Sequence, residues 1–144
     1  MFLGEFHHNL DNKGRIAIPA KFRPKLKEGA VITRGLDGCL SLYPKKEWIA
    51  LAEKLATLPI AKANSRAFNR FILSGAMDVV LDKQGRIVIP EYLRSYALLK
   101  KEIITVGLFN KLEVWSKNQW VKYRSKTEKD SNAIAEKLGE MEGI

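Results

Sequence analysis

The chain has 144 residues, 46% of them apolar, which is enough for one domain or two very small ones with a real core. Lys and Arg outnumber Asp and Glu by 25 to 16, a net charge of +9, and such an excess suits a polyanionic partner as readily as a plain solvated surface. The single cysteine, Cys39, excludes an intrachain disulfide and a cysteine-rich zinc site, and no apolar run approaches the ~20 residues of a membrane span.

The opening stretch MFLGEFHHNLDNKG has no basic start and no long apolar run, so no signal peptide is expected and the chain reads as cytoplasmic. It reads instead as a short strand that ends in Leu10-Asp11. His7 and His8 are adjacent on it and face opposite ways, a poor arrangement for gripping one metal ion. The phrase LDNKGRIAIP at 10–19 then predicts a tight turn followed by a strand with branched residues. Pro19 stops that strand and is placed to open a short helix, AKFRPKL, which Pro24 should end or kink. AVITRGLDGCLSLYP reads as two strands around a Gly-Asp-Gly turn. KKEWIALAEKLATL puts Trp48, Leu51, Ala52 and Leu55 on one helical face, and NSRAFNRFIL is a further helix.

From there the pattern starts again. LDKQGRIVIP at 81–90 repeats the earlier phrase, Pro90 precedes the helix EYLRSYALL, and EIITVGLFNKLEVW is a second hairpin with Phe-Asn-Lys in its turn. A helix from about Lys117, with Trp120, Val121 and Tyr123, is expected to resume as NAIAEKLGEM. The acidic end EKLGEMEGI is expected to fray. Trp48 and Trp120 read as core anchors and Tyr43 and Trp115 as core or interface. Cys39 has Lys111 as its counterpart and reads as a buried thiol.

Residues 10–26 and 81–97 share 8 of 17 identities, where unrelated sequences would share roughly one. VITRGLDGCLSLYPKKEW at 31–48 aligns on IITVGLFNKLEVWSKNQW at 103–120, and Gly4 falls on Gly75. The chain is therefore read as two copies of a unit of about 70 residues. The absence of a Gly/Ser- or Pro-rich linker implies that they pack together. Residues 1–72 carry 13 basic and 6 acidic groups, against 12 and 10 in residues 73–144. Much of the excess lies in Lys13, Arg15, Lys21, Arg23, Lys25 and Lys27.

In each copy, the Asp of Asp-x-x-Gly accepts backbone N–H groups in a tight turn, and Gly14 and Gly85 supply the positive φ that closes it. Asp11 and Asp82 are thus turn-makers first. Arg15 and Arg86 alternate with the inward residues Ile16, Ile18, Ile87 and Ile89 and should lie outside the core. Asp11 and Asp82 are the only carboxylates that invite an enzymatic reading. The Gly and Arg beside each make turn chemistry simpler, and no phosphate loop, nucleophile pair or metal-ligand spacing accompanies them. No enzyme is expected.

The doubled Asp-x-x-x-Arg signature, with GCLSLYPKKEW and VGLFNKLEVW, resembles the MraZ family over nearly the whole chain. That family comprises bacterial transcription regulators built of two SpoVT/AbrB-type domains. The resemblance implies an α+β fold of tandem SpoVT/AbrB-like swapped-hairpin β-barrel units with flanking helices and an internal pseudo-twofold duplication. Its boundaries would be a first domain at 1–58, a connecting helix at 59–74, a second domain at 75–124, and a C-terminal helix and tail at 125–144. It implies a nucleoid-associated, ring-shaped homo-oligomer that binds double-stranded DNA at tandem direct repeats. Those repeats lie upstream of the cell-division and cell-wall gene cluster, its own gene included. No cofactor, membrane or small-molecule substrate is implied. Pro24, where the second unit has Ser95, departs from the repeat and puts the length of the first short helix in question.

Chemistry fits that expectation. Phosphate contact needs permanent multi-donor cations at the surface, and base reading commonly uses an Arg on the O6 and N7 of guanine. Arg15 and Arg86 are assigned to the groove, and Lys13, Lys21, Arg23 and Lys83 to phosphates. Asn12 and Gln84, within the turns, are placed to touch either. An antitoxin-like protein-interaction module of the same fold is the alternative. It would ordinarily pair one DNA-binding unit with a disordered tail.

Overall fold

The computed structural model describes residues 1–141. It is a mixed α+β molecule in which the paired strands described all run antiparallel. In chain order the first half supplies β1 (Phe2–Asn9), β2 (Arg15–Ala17), a 3-10 segment (Ala20–Leu26), β3 (Ala30–Arg34), β4 (Leu40–Pro44), α1 (Lys45–Ala56) and α2 (Ala63–Gly75). The second half supplies β5 (Met77–Val79), β6 (Arg86–Val88), α3 (Glu91–Tyr96), β7 (Glu102–Phe109), β8 (Leu112–Ser116) and α4 (Lys117–Glu140). The helix at the end runs through without the expected interruption. Of the stretch expected to fray, the described part is helical to Glu140, and residues 142–144 lie outside the described residues.

Six strands form one sheet in the order β1-β7-β8-β4-β3-β5, and β2 and β6 form a separate two-stranded ribbon. The halves share strands. β1 runs along β7, from Phe2 opposite Phe109 to Asn9 opposite Glu102, and β5 lies on β3. β4 and β8 meet at the middle of the sheet. The ribbon pairs Arg15 with Val88, Ile16 with Ile87 and Ala17 with Arg86.

Alternation along the strands sends successive side chains to opposite faces. On one face Ile32, Leu40, Leu42, Ile103, Leu112 and Val114 meet the ribbon's Ile16, Ile18, Ile87 and Ile89 in a single core. Phe22 and Leu26 from the 3-10 segment, and Leu93 and Ala97 from and after α3, close it. Because this core draws on both halves, neither half encloses an apolar interior of its own. The other face carries Cys39, Ile104, Val106 and Trp115 in a second, smaller cluster with Trp120 against it. Trp120 and Trp48 are half-buried: the first lies 5.3 Å from Trp115 and the second 6.0 Å from Tyr43. Cys39 is buried, its Sγ donating to the Leu36 carbonyl at 3.2 Å, and burial with the nearby Glu113 pushes its pKa up.

Pro19 and Pro90 each sit one position before the first helical residue. After Pro19 the chain stays 3-10 throughout. Pro24 has no N–H to give to Ala20, so an α-helical ladder is not completed there, and the bonds seen are i to i−3: Phe22 to Pro19 and Lys27 to Pro24. After Pro90, with Ser95 in place of proline, an α-helical bond forms from the Arg94 N–H to the Pro90 carbonyl.

Candidate nucleic-acid interface

Each repeated phrase folds into the same hydrogen-bonded turn. In the first, Asp11 Oδ1 accepts the N–H groups of Lys13 at 2.9 Å and Arg15 at 2.8 Å. Its Oδ2 accepts the Arg15 Nε–H at 2.7 Å. In the second, Asp82 Oδ1 accepts the N–H groups of Gln84 and Arg86, both at 2.9 Å, and Oδ2 accepts the Arg86 Nε–H at 2.8 Å. The backbone closes likewise, with Gly14 donating to the Asp11 carbonyl and Gly85 to that of Asp82. Gly14 and Gly85 have φ of 77° and 74°, the left-handed region that a side chain resists.

Three acceptances on one carboxylate favour its charged form. Asp11 is held down to about 2, first by the Arg15 backbone N–H and then, against some opposing desolvation, by the Arg15 guanidinium and the Lys13 N–H. Asp82 is lowered for the same reasons, with Arg86 and Gln84 in those places.

The ribbon sets the two arginines relative to each other. With Ile16 and Ile87 facing the core, Arg15, Ala17, Arg86 and Val88 share the outer face. Arg15 and Arg86 stand on its diagonal, two residues or ~7 Å apart along the strand direction. Their side chains are 26% and 29% exposed. Each spends its Nε on aspartate, and among the described residues neither Nη nitrogen of either arginine has a hydrogen-bond partner. Asn12, Lys13, Lys83 and Gln84 are exposed on the turns.

Arg23 reaches across to the other half. Its Nε donates to the Ile18 carbonyl at 2.9 Å, and its guanidinium occupies the space that a Cβ on Gly85 would need. Arg94 does the same at Gly14. The residue was not among the sequence candidates, although it is one of the identities of the repeat, aligned on Arg23. A groove of about 540 Å³ between the 3-10 segment and the second turn brings Arg23, Lys27 and Lys83 together. Lys21 points elsewhere: its ammonium sits over the rings of Phe6 and Phe22, at 4.8 and 5.1 Å from their centres.

The histidines are divided as the strand dictates. His8 Nε2 hydrogen-bonds the Thr105 hydroxyl at 3.1 Å, and burial followed by the neighbouring His7 lowers its pKa, while His7 is exposed. No cluster of metal-ligating side chains occurs among the described residues. No described helix is long and apolar enough to cross a membrane.

Comparison with known proteins gives this geometry a family. A family model described as "MraZ protein, putative antitoxin-like" matches twice, over residues 1–71 and 72–140. The "Transcriptional regulator MraZ" of Clostridium acetobutylicum is 52% identical over 98% of this chain and 99% of its own. Its namesake from Natranaerobius thermophilus is 49% identical over 96% of both chains, and that from Halothermothrix orenii 52% over 94% of both. With two matches that between them span nearly every residue, the chain belongs to the MraZ family.

Proposed function

We propose that the chain is a transcriptional regulator that binds duplex DNA through the outer face of the β2–β6 ribbon and its two flanking turns. One observation carries this reading: both arginines on that face are held through Nε by an aspartate and keep their Nη edges outward. A guanidinium fixed in this way presents a fork suited to guanine O6 and N7. A two-stranded ribbon also fits a major groove. Lys13, Lys83 and Arg23 serve phosphates, Asn12 and Gln84 bases or phosphates, and Lys21 adds charge from a seat on two aromatic rings. The name of the relatives supports regulation of transcription as the purpose of that binding.

The finer reading is of tandem SpoVT/AbrB-like swapped-hairpin units related by a pseudo-twofold axis, with boundaries at 1–58, 59–74, 75–124 and 125–144. The exchange of β1 onto β7 and of β5 onto β3 supports it. We further read the working form as a closed ring on direct repeats upstream of the cell-division and cell-wall genes, within the cytoplasm and on the nucleoid, with no catalytic step and no cofactor. Head-to-tail contacts between unequal halves either close or grow into filaments, and several loops on several repeats gain from effective concentration. Native mass spectrometry should then show one discrete species above a dimer, with affinity that depends sharply on repeat number and spacing. An antitoxin-like docking module is the second reading, favoured by the description of the matched family.

Arg15→Ala and Arg86→Ala test the central claim. Each should cost ~1–3 kcal/mol in discrimination between matched and scrambled duplexes, with circular dichroism and melting unchanged. Normal discrimination in both variants would refute it. Duplex binding that is absent from the unaltered protein would favour the docking module.

A further inference from the structure

Beside the first turn lies an open cleft of about 380 Å³ whose lining includes Lys100, Lys101, Glu102, Ser116, Lys117 and Asn118. It is tied to the turn through the backbone: Leu10 donates to the Lys101 carbonyl at 2.8 Å, and Asn9 pairs with Glu102. The cleft also contains the N-terminus of α4, a helix of 24 residues with no acidic residue in its first turn. The leading N–H groups of a helix have no partner within it and carry the positive end of its dipole.

Ser116 is the residue that would ordinarily cap this end. It is 6% exposed, yet its side chain makes no capping bond. Among the described residues its Oγ has no hydrogen-bond partner, and it is not one of the fully enclosed unpaired atoms. The hydroxyl is therefore left to the cleft. Around it stand Lys100, Lys101 and Lys117 against one carboxylate, Glu102, whose Oε1 lies 3.3 Å from Lys117 Nζ. The first half has no such arrangement. Pro44 occupies the place of Ser116 and brings neither hydroxyl nor N–H, while Glu28 and Gly29 stand where Lys100 and Lys101 do.

We propose that the N-terminus of α4, with Ser116, Lys100, Lys101 and Lys117, is a phosphate-group site. Its ligand is a backbone phosphate of the duplex engaged by the first turn, so this source rests on the DNA-binding reading. Backbone N–H groups, a hydroxyl and the ammonium groups of lysines that line one cleft are donors a phosphate oxygen takes. Phosphates succeed one another by ~3.4 Å of axis on each strand, so a strand lying on the turn brings one to the cleft. Glu102 acts as a brake, occupying Lys117 until the anion arrives.

The test uses the full chain and two probes. In amide NMR, inorganic phosphate and a short duplex should each shift the N–H signals of Lys117 and Asn118. Ser116→Ala should abolish the inorganic phosphate response, and Glu102→Gln should bring it to lower phosphate concentration. With duplex DNA, the Lys100→Gln, Lys101→Gln double variant should lower the salt slope by about 0.9, the value of one lost phosphate contact, and leave matched-versus-scrambled discrimination unchanged. If phosphate shifts the signals and the slope does not change, the site stands with free phosphate as its ligand and the DNA source is overturned. Shifts with inorganic phosphate in a protein that binds no duplex would separate the site from the DNA-binding reading and sink only the latter. Signals unmoved by either probe would overturn the site. A Ser116→Ala variant that melts earlier but keeps the full phosphate response would do the same, because the serine would then be only a cap.

Discussion

The 3-10 segment Ala20–Leu26 and the helix α3 occupy the same place in the two repeats, yet they wind differently. Pro24 denies the first an α-helical bond, whereas Ser95 permits one in the second. Each nevertheless delivers an arginine, Arg23 or Arg94, onto the turn glycine of the opposite half. The difference shows that what is held in common is the arginine–glycine contact and the Asp–Arg turn beneath it. The helix type is only a means of reaching them. Arg23 has one tie that Arg94 lacks, its bond to the Ile18 carbonyl.

The harshest way to break the likeness is to fill the glycines. Gly85→Ala and Gly14→Ala each force a side chain to positive φ and onto a guanidinium, so each should lose ~2 kcal/mol of stability in urea denaturation. Gly85→Ala should be the worse of the two, because Arg23 is anchored and yields less readily. Equal losses would mean that the anchor does not matter.

Ser95→Pro sharpens the comparison by giving α3 the proline of its counterpart. In a helix interior such a change costs ~3 kcal/mol. Here the first half already shows a 3-10 solution, so a loss of about 1 kcal/mol is expected in the same assay. A loss at the full interior value would mean that the second half does not accept the first half's winding.

The smallest expected effect is an acid one. Asp11 has a folded value of about 2 against an ordinary 3.8. Its contribution is therefore complete above the ordinary value and is lost as the pH falls through about 2. Melting temperature followed from pH 5 down to 2 should fall less steeply in Asp11→Asn than in the unaltered protein. Asp82, lowered by the same bonds, should behave alike, and an unaltered slope in both variants would remove the aspartates from the acid response.

The turns, the ribbon strands and the helices α1 and α2 could be read from sequence because their causes are local: an Asp and a Gly at fixed spacing, branched residues, apolar periodicity. The partner of β1 could not. Its pattern fits β3 of its own half as well as β7, and only the joint packing of both halves decides. Arg94 was hidden because its role is defined by a glycine 80 positions away; Lys21 was legible as a surface cation, but its seat was not, because nothing local announces Phe6 above it. The cleft at Ser116 joins the ends of three strands and a helix, a juxtaposition that no short motif encodes.

The pairing of β1 with β7 also bears on how the protein is made. His8 meets Thr105 across 97 positions, so on the ribosome β1 has no partner until most of the chain has been synthesised. At about 5–20 residues per second that is a wait of several seconds or more, far longer than a hairpin needs to form. During that interval β1 is an unpaired strand in search of a neighbour. A second nascent chain nearby can offer its own β7 before the first chain does. Crowded polysomes should therefore favour interlocked dimers over correctly closed single chains. Slower initiation, which spaces the ribosomes apart, should raise the yield of chains whose β1 pairs with their own β7, without any change in sequence.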